Sequence, residues 1–169
     1  MDLKKHGKWV NTMKQMGSIG GVRVGDKFRY RAQLNIIDLH KQFTDGIDRM
    51  RRNDGKVLAI SIVDSGCSAN NLQSSDILIF SGHGGKALFD KTKLTDQITK
   101  GENLALKNSQ EEGTPIRVIR RLKHSNGSCY VYYGLYTVEE VGEERKLGVM
   151  TYKFRLRRKP GQPELSFDS

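Results

Sequence analysis

Two cysteines, Cys67 and Cys129, four histidines and three prolines are all this chain offers of the residues that staple or cross-link small domains. A disulfide framework needs more cysteines, and a four-ligand zinc site needs Cys or His at short paired spacings. His6, His40, His83 and His124 do not supply them. Two free thiols in a reducing compartment are therefore expected, with no metal or other cofactor. No apolar run approaches the ~18 residues of a membrane-spanning helix, and the first residues lack the apolar core of a signal peptide. An intracellular protein with no membrane partner is the expectation. Internal repeats and low-complexity tracts are missing as well. The tetrapeptide Gly82-His83-Gly84-Gly85 has no Lys-Ser/Thr ending, so it is not a P-loop. No Glu accompanies a Cys/His cluster as in nucleobase deaminases, and Asp76, Asp90 and Asp96 show no metal-ligand spacing. The expectation is a binding domain and not an enzyme.

Acidic side chains are also in short supply, with 19 Asp and Glu against 29 Lys and Arg, for a net charge of +10 and a pI near 9.7. Such an excess favours a polyanion, because Lys and Arg that neutralise phosphates release condensed counterions. Nucleic acid leads as the partner, and a merely soluble basic domain is the plain alternative. At 169 residues, 36% of them hydrophobic, the chain has material for one domain with a real core.

Short β-branched runs bounded by polar and Gly clusters read as buried strands. Residues 57–63 and 77–80 are such runs, and the stretch 61–85 organises the chain around them: two core strands presenting a polar loop and a Gly-rich turn at one end. Before it, Trp9, Met13 and Met16 stand at i, i+4 and i+7 with Gly17 as a stop, which predicts an amphipathic helix over 1–17 with Lys4, Lys5, Lys8 and Lys14 on its basic face. Phe28, Tyr30, Ala32 and Leu34 alternate with Lys27, Arg29, Arg31 and Gln33, predicting a half-buried strand with a basic outer face. Residues 40–55 are polar and aperiodic and read as a loop, where binding residues tend to be mounted.

After the glycine turn the chain is basic and loop-like until a short helix over 102–108. Strands are predicted over 116–122, 128–133 and 135–141, with a turn at Asn126-Gly127. A last strand alternates Tyr152, Phe154 and Leu156 with Lys153, Arg155 and Arg157, and Pro160-Gly161-Gln162-Pro163 has the composition of a linker. Many short strands, long loops and little helix predict a mixed α+β, β-rich domain, built as a barrel or open curved sheet.

In order along the chain, Val24-Gly25-Asp26, Gly46-Ile47-Asp48, Ser61-Ile62-Val63, Gly82-His83-Gly84-Gly85, Asn103-Leu104-Ala105-Leu106, Pro115-Ile116-Arg117-Val118-Ile119-Arg120, Tyr132-Tyr133-Gly134-Leu135-Tyr136 and residues 156–165 resemble the SRA (SET- and RING-associated, YDG) domain. The chain is most similar to the form found in plant Su(var)3-9 homologue histone-lysine methyltransferases. The resemblance divides the chain into a helical lead-in over 1–19, an SRA domain over 20–165 and the start of a linker over 166–169. It implies a PUA-like twisted β-barrel with short flanking helices, working on chromatin in the nucleus. It also implies a partner, methylated double-stranded DNA, from which 5-methylcytosine is flipped into a pocket. A longer parent protein would carry the SET region, which these residues lack. Flipped bases are sandwiched by aromatic faces and hydrogen-bonded on their Watson–Crick edge, at an unstacking cost of roughly a few kcal/mol.

The same resemblance assigns individual residues. Gln42, Phe43 and Thr44 form one DNA-inserting loop, and Asp90, Lys91, Thr92 and Lys93 the other. Arg49, Arg51, Arg52, His83, Lys86, Arg120 and Arg121 fall to the DNA backbone. Ser68, Asn71, Phe80, Ser81 and Gly82 fall to the base pocket, where the chain departs from the family pattern. Ser68 replaces a Tyr that stacks on one face of the base. Asn71 replaces an Asp that accepts from the cytosine amino group, and a neutral acceptor binds more weakly than a carboxylate. Phe80-Ser81, in place of Tyr-Thr, keeps a ring and a hydroxyl. The YDG signature reads Tyr132-Tyr133-Gly134, its Asp being mainly structural in the family. Base–aromatic stacking is worth ~1–3 kcal/mol, so one missing wall is comparable with the unstacking cost. Three functions are compatible with these residues: a methylcytosine reader of altered affinity, a basic duplex-binding module that no longer flips, and a domain that docks histones or other chromatin proteins.

Overall fold

A computed structural model of the chain describes residues 14–42, 46–64, 71–81, 102–146 and 149–165. Its strands are β1 (Lys27–Phe28), β2 (Ile47–Arg51), β3 (Val57–Asp64), β4 (Asn71–Ser74), β5 (Ile77–Ser81), β6 (Ile116–His124), β7 (Gly127–Lys146) and β8 (Val149–Arg158), with helices α1 (Arg31–Ile36) and α2 (Glu102–Glu112). One eight-stranded sheet runs in the order β2-β3-β6-β7-β8-β5-β4, with β1 added to β7. The β3–β6 pair is parallel and the other described pairs are antiparallel. This is the strand-rich α+β domain expected. Among the described residues no ladder joins β2 to β4, so the sheet is curled and open where a barrel would close.

The curl shows in the core. One apolar cluster gathers Ile47 and Ile62 from one end of the strand order, Leu78 and Phe80 from the other, and Ala105 and Leu106 from α2. A second lies on the opposite side of β3, β6 and β7, where Val63, Ile119 and Tyr132 stand side by side in register under Ile19, Leu34 and Leu39. Covering both faces of β3 explains why its sequence is a near-continuous apolar run, broken by the buried Ser61 and Asp64, and not an alternation. Each such aliphatic side chain contributes about 1.5–3 kcal/mol of burial.

Several sequence expectations need correction. The alternation over 27–34 does not make a strand: β1 has two residues and α1 starts at Arg31. Tyr30 N donates to Gln33 Oε1 at 2.9 Å, which turns the backbone, and Ala32, Gln33 and Leu34 are good helix formers. Of that helix only Leu34 is buried, while Tyr30 before it and Ile36 at its end are exposed. Residues 40–55 contain β2, whose buried Asp48 is matched by cationic and backbone donors, so no apolar alternation betrays it. The polar tetrapeptide of β4 is placed by its pairing with β5.

The runs over 57–63 and 77–80 are core strands, as expected, with β3 between β2 and β6 and β5 between β8 and β4. Residues 14–19 are not helical, and the rest of the expected N-terminal helix lies outside the described residues. The linker-like Pro-Gly-Gln-Pro stretch is docked. Gln162 Nε2 donates to Leu135 O at 2.8 Å, and Leu135 N donates to Gln162 Oε1 at 2.7 Å, at the bend where Gly134 takes a φ of 108°.

Candidate nucleic-acid interface

Three chain segments that are distant in sequence meet where β2 begins and where β3 and β5 end. Val63 N donates to Gly46 O at 2.8 Å. A methyl group on Gly46 would sit 3.4 Å from Val63 O and 3.5 Å from Phe80 Cζ. From this junction the chain leads into three of the segments to which the family resemblance assigns base or DNA contacts. Residues 42–45 precede Gly46, residues 65–70 follow Asp64, and residues 82–101 follow Ser81. Rigid strand ends carrying loops are a common mounting for binding residues.

Phe80 is 7% exposed, packed in the main core and opposite Phe154 of β8. Its ring is the floor of the junction. Ser81 is half-buried, opposite Lys153, and Asn71 opens β4 opposite Ile79. Gln42 is half-buried, and its carbonyl accepts from Arg31 Nη2 at 3.4 Å. Ser68, Gly82, Phe43, Thr44, Asp90, Lys91, Thr92, Lys93, His83 and Lys86 lie outside the described residues.

The arginines assigned to phosphates separate into two kinds. Arg49 and Arg51 are exposed on β2, and Arg121 is exposed on β6 with its Nε on Ser128 Oγ at 3.1 Å. Arg52 instead reaches Asp54 and, at 2.9 Å, Glu112 of α2. Lys56 joins the same carboxylate at 3.0 Å. The Arg52 guanidinium holds both the Asp54 and Glu112 carboxyls down to about 2. Arg120 Nε lies 2.7 Å from Oδ2 of the fully buried Asp64. Arg52 and Arg120 thus already hold carboxylate partners, which a phosphate would have to displace. The exposed ones are not brought together: Arg49 and Arg51 lie opposite Ala59 and Val57 near the start of β3, and Arg121 lies past its end.

Around Asp64 the interior is polar. Burial pushes the Tyr133 phenol up, and the nearby Arg120 works against that shift. Tyr132 and Tyr133 of the YDG-like signature are both buried, on opposite sides of the sheet, so both are structural.

A second buried polar group was not singled out from sequence. Asp48 accepts from Lys14 Nζ at 2.7 Å, Lys41 N at 2.8 Å and Arg49 N at 2.9 Å. Burial alone would raise its carboxyl, but those donors and the nearby Lys14 and His40 outweigh it and the pKa falls below the usual range. His40 is buried with Nδ1 2.7 Å from Ser61 Oγ. Arg117, 1% exposed, donates through Nε to Leu39 O at 3.0 Å and through Nη1 to Gln15 O and Gly17 O at 2.7 and 2.9 Å. Burial lowers its pKa. The acid closing Gly46-Ile47-Asp48 is the sequence signal for Asp48, whereas nothing in the sequence sets Arg117 apart from Arg120, Arg121 and Lys123 on the same strand.

The sequence profile of the SAD/SRA domain matches residues 15–162. The histone-lysine N-methyltransferase, H3 lysine-9 specific SUVH5 of Arabidopsis thaliana is 43% identical over 174 residues, 96% of this chain and 22% of its own length. The crystal structure of the SUVH5 SRA in complex with fully methylated CG DNA is similar with a TM-score of 0.78 and 44% identity, covering 90% of this chain and 100% of that one. KRYPTONITE in complex with mCHG DNA and SAH gives a TM-score of 0.81 at 33% identity, over 99% of this chain and 38% of that one. The chain thus spans about a fifth of the length of the SUVH5 relative.

Proposed function

Because the chain belongs to the SAD/SRA domain family, we propose that it is a double-stranded DNA reader that takes a flipped methylated cytosine into the junction formed by β2, β3 and β5. The observation that carries this function is the meeting of Gly46, Val63 and Phe80, in a chain 44% identical to an SRA domain solved on fully methylated CG DNA. It supports this reading because the Phe80 ring lies beside the point where the three segments proposed to face DNA start or end. In this mechanism Phe80 stacks on the base, Ser81 and Asn71 face its Watson–Crick edge, and Ser68 stands where a second wall is missing. Gly82 lets the backbone approach. Residues 42–44 and 90–93 fill the vacated stack, while Arg49, Arg51, Arg121, His83 and Lys86 meet phosphates. Arg52 and Arg120 act indirectly, through Glu112 and Asp64. The setting is chromatin in the nucleus, as one domain of a longer histone methyltransferase-like protein.

The test is a titration of matched duplexes, unmethylated, hemimethylated and fully methylated in CG and non-CG contexts, at two salt concentrations. A preference of at least about tenfold, ~1.4 kcal/mol, for a methylated probe is expected. Equal, salt-sensitive binding to all probes would overturn flipping and leave a basic duplex-binding module. No binding at all would move the function to chromatin proteins.

A further inference from the structure

The backbone on either side of residues 43–45 is anchored in the described structure. On one side, Lys41 N donates to Asp48 Oδ2 at 2.8 Å, Asn35 Nδ2 donates to Lys41 O at 2.7 Å, and Arg31 Nη2 donates to Gln42 O at 3.4 Å. On the other, Gly46 O accepts from Val63 N at 2.8 Å. Asp48 is the hub: its side chain is fully buried, and besides Lys41 it accepts from Arg49 N and from Lys14 Nζ. Lys14 Nζ donates further to Arg49 O at 3.0 Å.

Lys14 belongs to a segment that is itself pinned. Arg117 Nη1 donates to Gln15 O and Gly17 O, while its Nε and Nη2 donate to Leu39 O and Asp38 O at 3.0 and 3.4 Å. One buried guanidinium and one buried carboxylate thus tie residues 14–17 to residues 38–42. Buried charges are costly unless their partners are held in good geometry, so they dictate placement more firmly than apolar packing does. Binding groups need placement to within about 0.5 Å, and that placement comes from supporting residues such as these.

The geometry points to Asp48 and Lys14 as positioning residues for Gln42, the described end of the segment proposed to enter the duplex, with the N-terminal segment, through Lys14, setting how well it engages methylated DNA. The inference rests on the reader function proposed above and deepens it. Neither residue touches the base. A displacement of the N-terminal segment is transmitted through Lys14 and Asp48 to the Lys41 amide.

The test uses Lys14→Met and Lys14→Arg in the whole chain, with amide hydrogen exchange of the free protein and fluorescence anisotropy on methylated and unmethylated duplexes. Lys14→Met is expected to speed exchange at the Lys41 amide about tenfold and to cut the methylated-over-unmethylated preference about three- to tenfold. Affinity for unmethylated duplex and its salt slope stay unchanged, and Lys14→Arg restores both losses. Unchanged Lys41 exchange would overturn the inference. So would an equal loss on both duplexes with a salt slope lower by about 1, because Lys14 would then be a phosphate contact. If the unaltered chain shows no methyl preference, the reader function fails, and the exchange result alone decides whether Lys14 governs the anchor.

Discussion

Replacing Phe80 by Leu separates the core role of this side chain from its proposed role at the base. Phe80 is 7% exposed and lies against Gly46 and opposite Phe154, so truncation to Ala would open a cavity costing about 3–5 kcal/mol. Leu keeps much of the apolar volume, and the expected loss is about 1 kcal/mol. Against a total stability of ~5–15 kcal/mol the domain stays folded. What Leu removes is a flat face. Base–aromatic stacking of ~1–3 kcal/mol corresponds to a fall in methyl preference of roughly 5- to 150-fold. Phosphate contacts carry no sequence information, so affinity for unmethylated duplex is expected to hold within about twofold. The assay is fluorescence anisotropy with matched duplexes at two salt concentrations, alongside a thermal melt of each protein. A folded Phe80→Leu variant with undiminished preference would refute the stacking role. An equal loss on both duplexes would show that the ring acts only through the core.

Arg117→Met is expected to cost about 3 kcal/mol or more in denaturant unfolding, since the carbonyls of Gln15, Gly17 and Leu39 lose a charged donor. Arg117→Lys recovers only part of it, because a point ammonium cannot span a fork of carbonyls; full stability in Arg117→Met would refute the anchor. Gly134→Ala meets two obstacles, a φ of 108° and a methyl 2.5 Å from Gln162 Oε1, for an expected loss of about 2 kcal/mol. Adding Gln162→Ala should relieve the clash but not the strain, which thermal melts of the single and double variants will separate. For acid, the sign follows from Asp48, Asp54 and Glu112 having folded pKa values below their ordinary ones, the last two at about 2. They stabilise the fold above the unfolded carboxyl range, and that stability is lost as pH falls through the folded values. Tm should therefore drop between about pH 4 and pH 2, less steeply in Asp54→Asn, and a flat Tm across that window would contradict it.

Family and strand content were legible because they depend on local patterns. The motif order from Val24 to Leu165 is the same whatever path the chain takes. Runs such as residues 57–63 are mostly apolar because both their faces are covered. The misread stretches share a cause: each was decided by a polar group finding a partner. Residues 27–34 alternate well enough for a strand, yet the hydrogen bond from Tyr30 N to Gln33 Oε1 starts a helix. Residues 47–51 look like loop, yet Asp48 is buried with three donors around it. Pro160-Gly161-Gln162-Pro163 has linker composition, yet the Gln162 amide docks on Leu135.

By itself the sequence determined a basic, strand-rich domain and its family, because composition, periodicity and motif order are carried by the chain regardless of its path. It did not determine the fate of each charge. Arg49, Arg52, Arg117, Arg120 and Arg121 are alike as letters, but Arg117 is buried among carbonyls, Arg120 faces Asp64, and Arg52 pairs with Glu112 sixty residues away, leaving Arg49 and Arg121 exposed. Nor did it show that Gly46, Val63 and Phe80 meet, since β3 and β5 are not paired and only the curl of the sheet joins them. The physical reason is the same in each case. A side chain's energy is set by what lies within a few ångströms of it, and for these residues those neighbours come from chain segments that only the tertiary fold brings near.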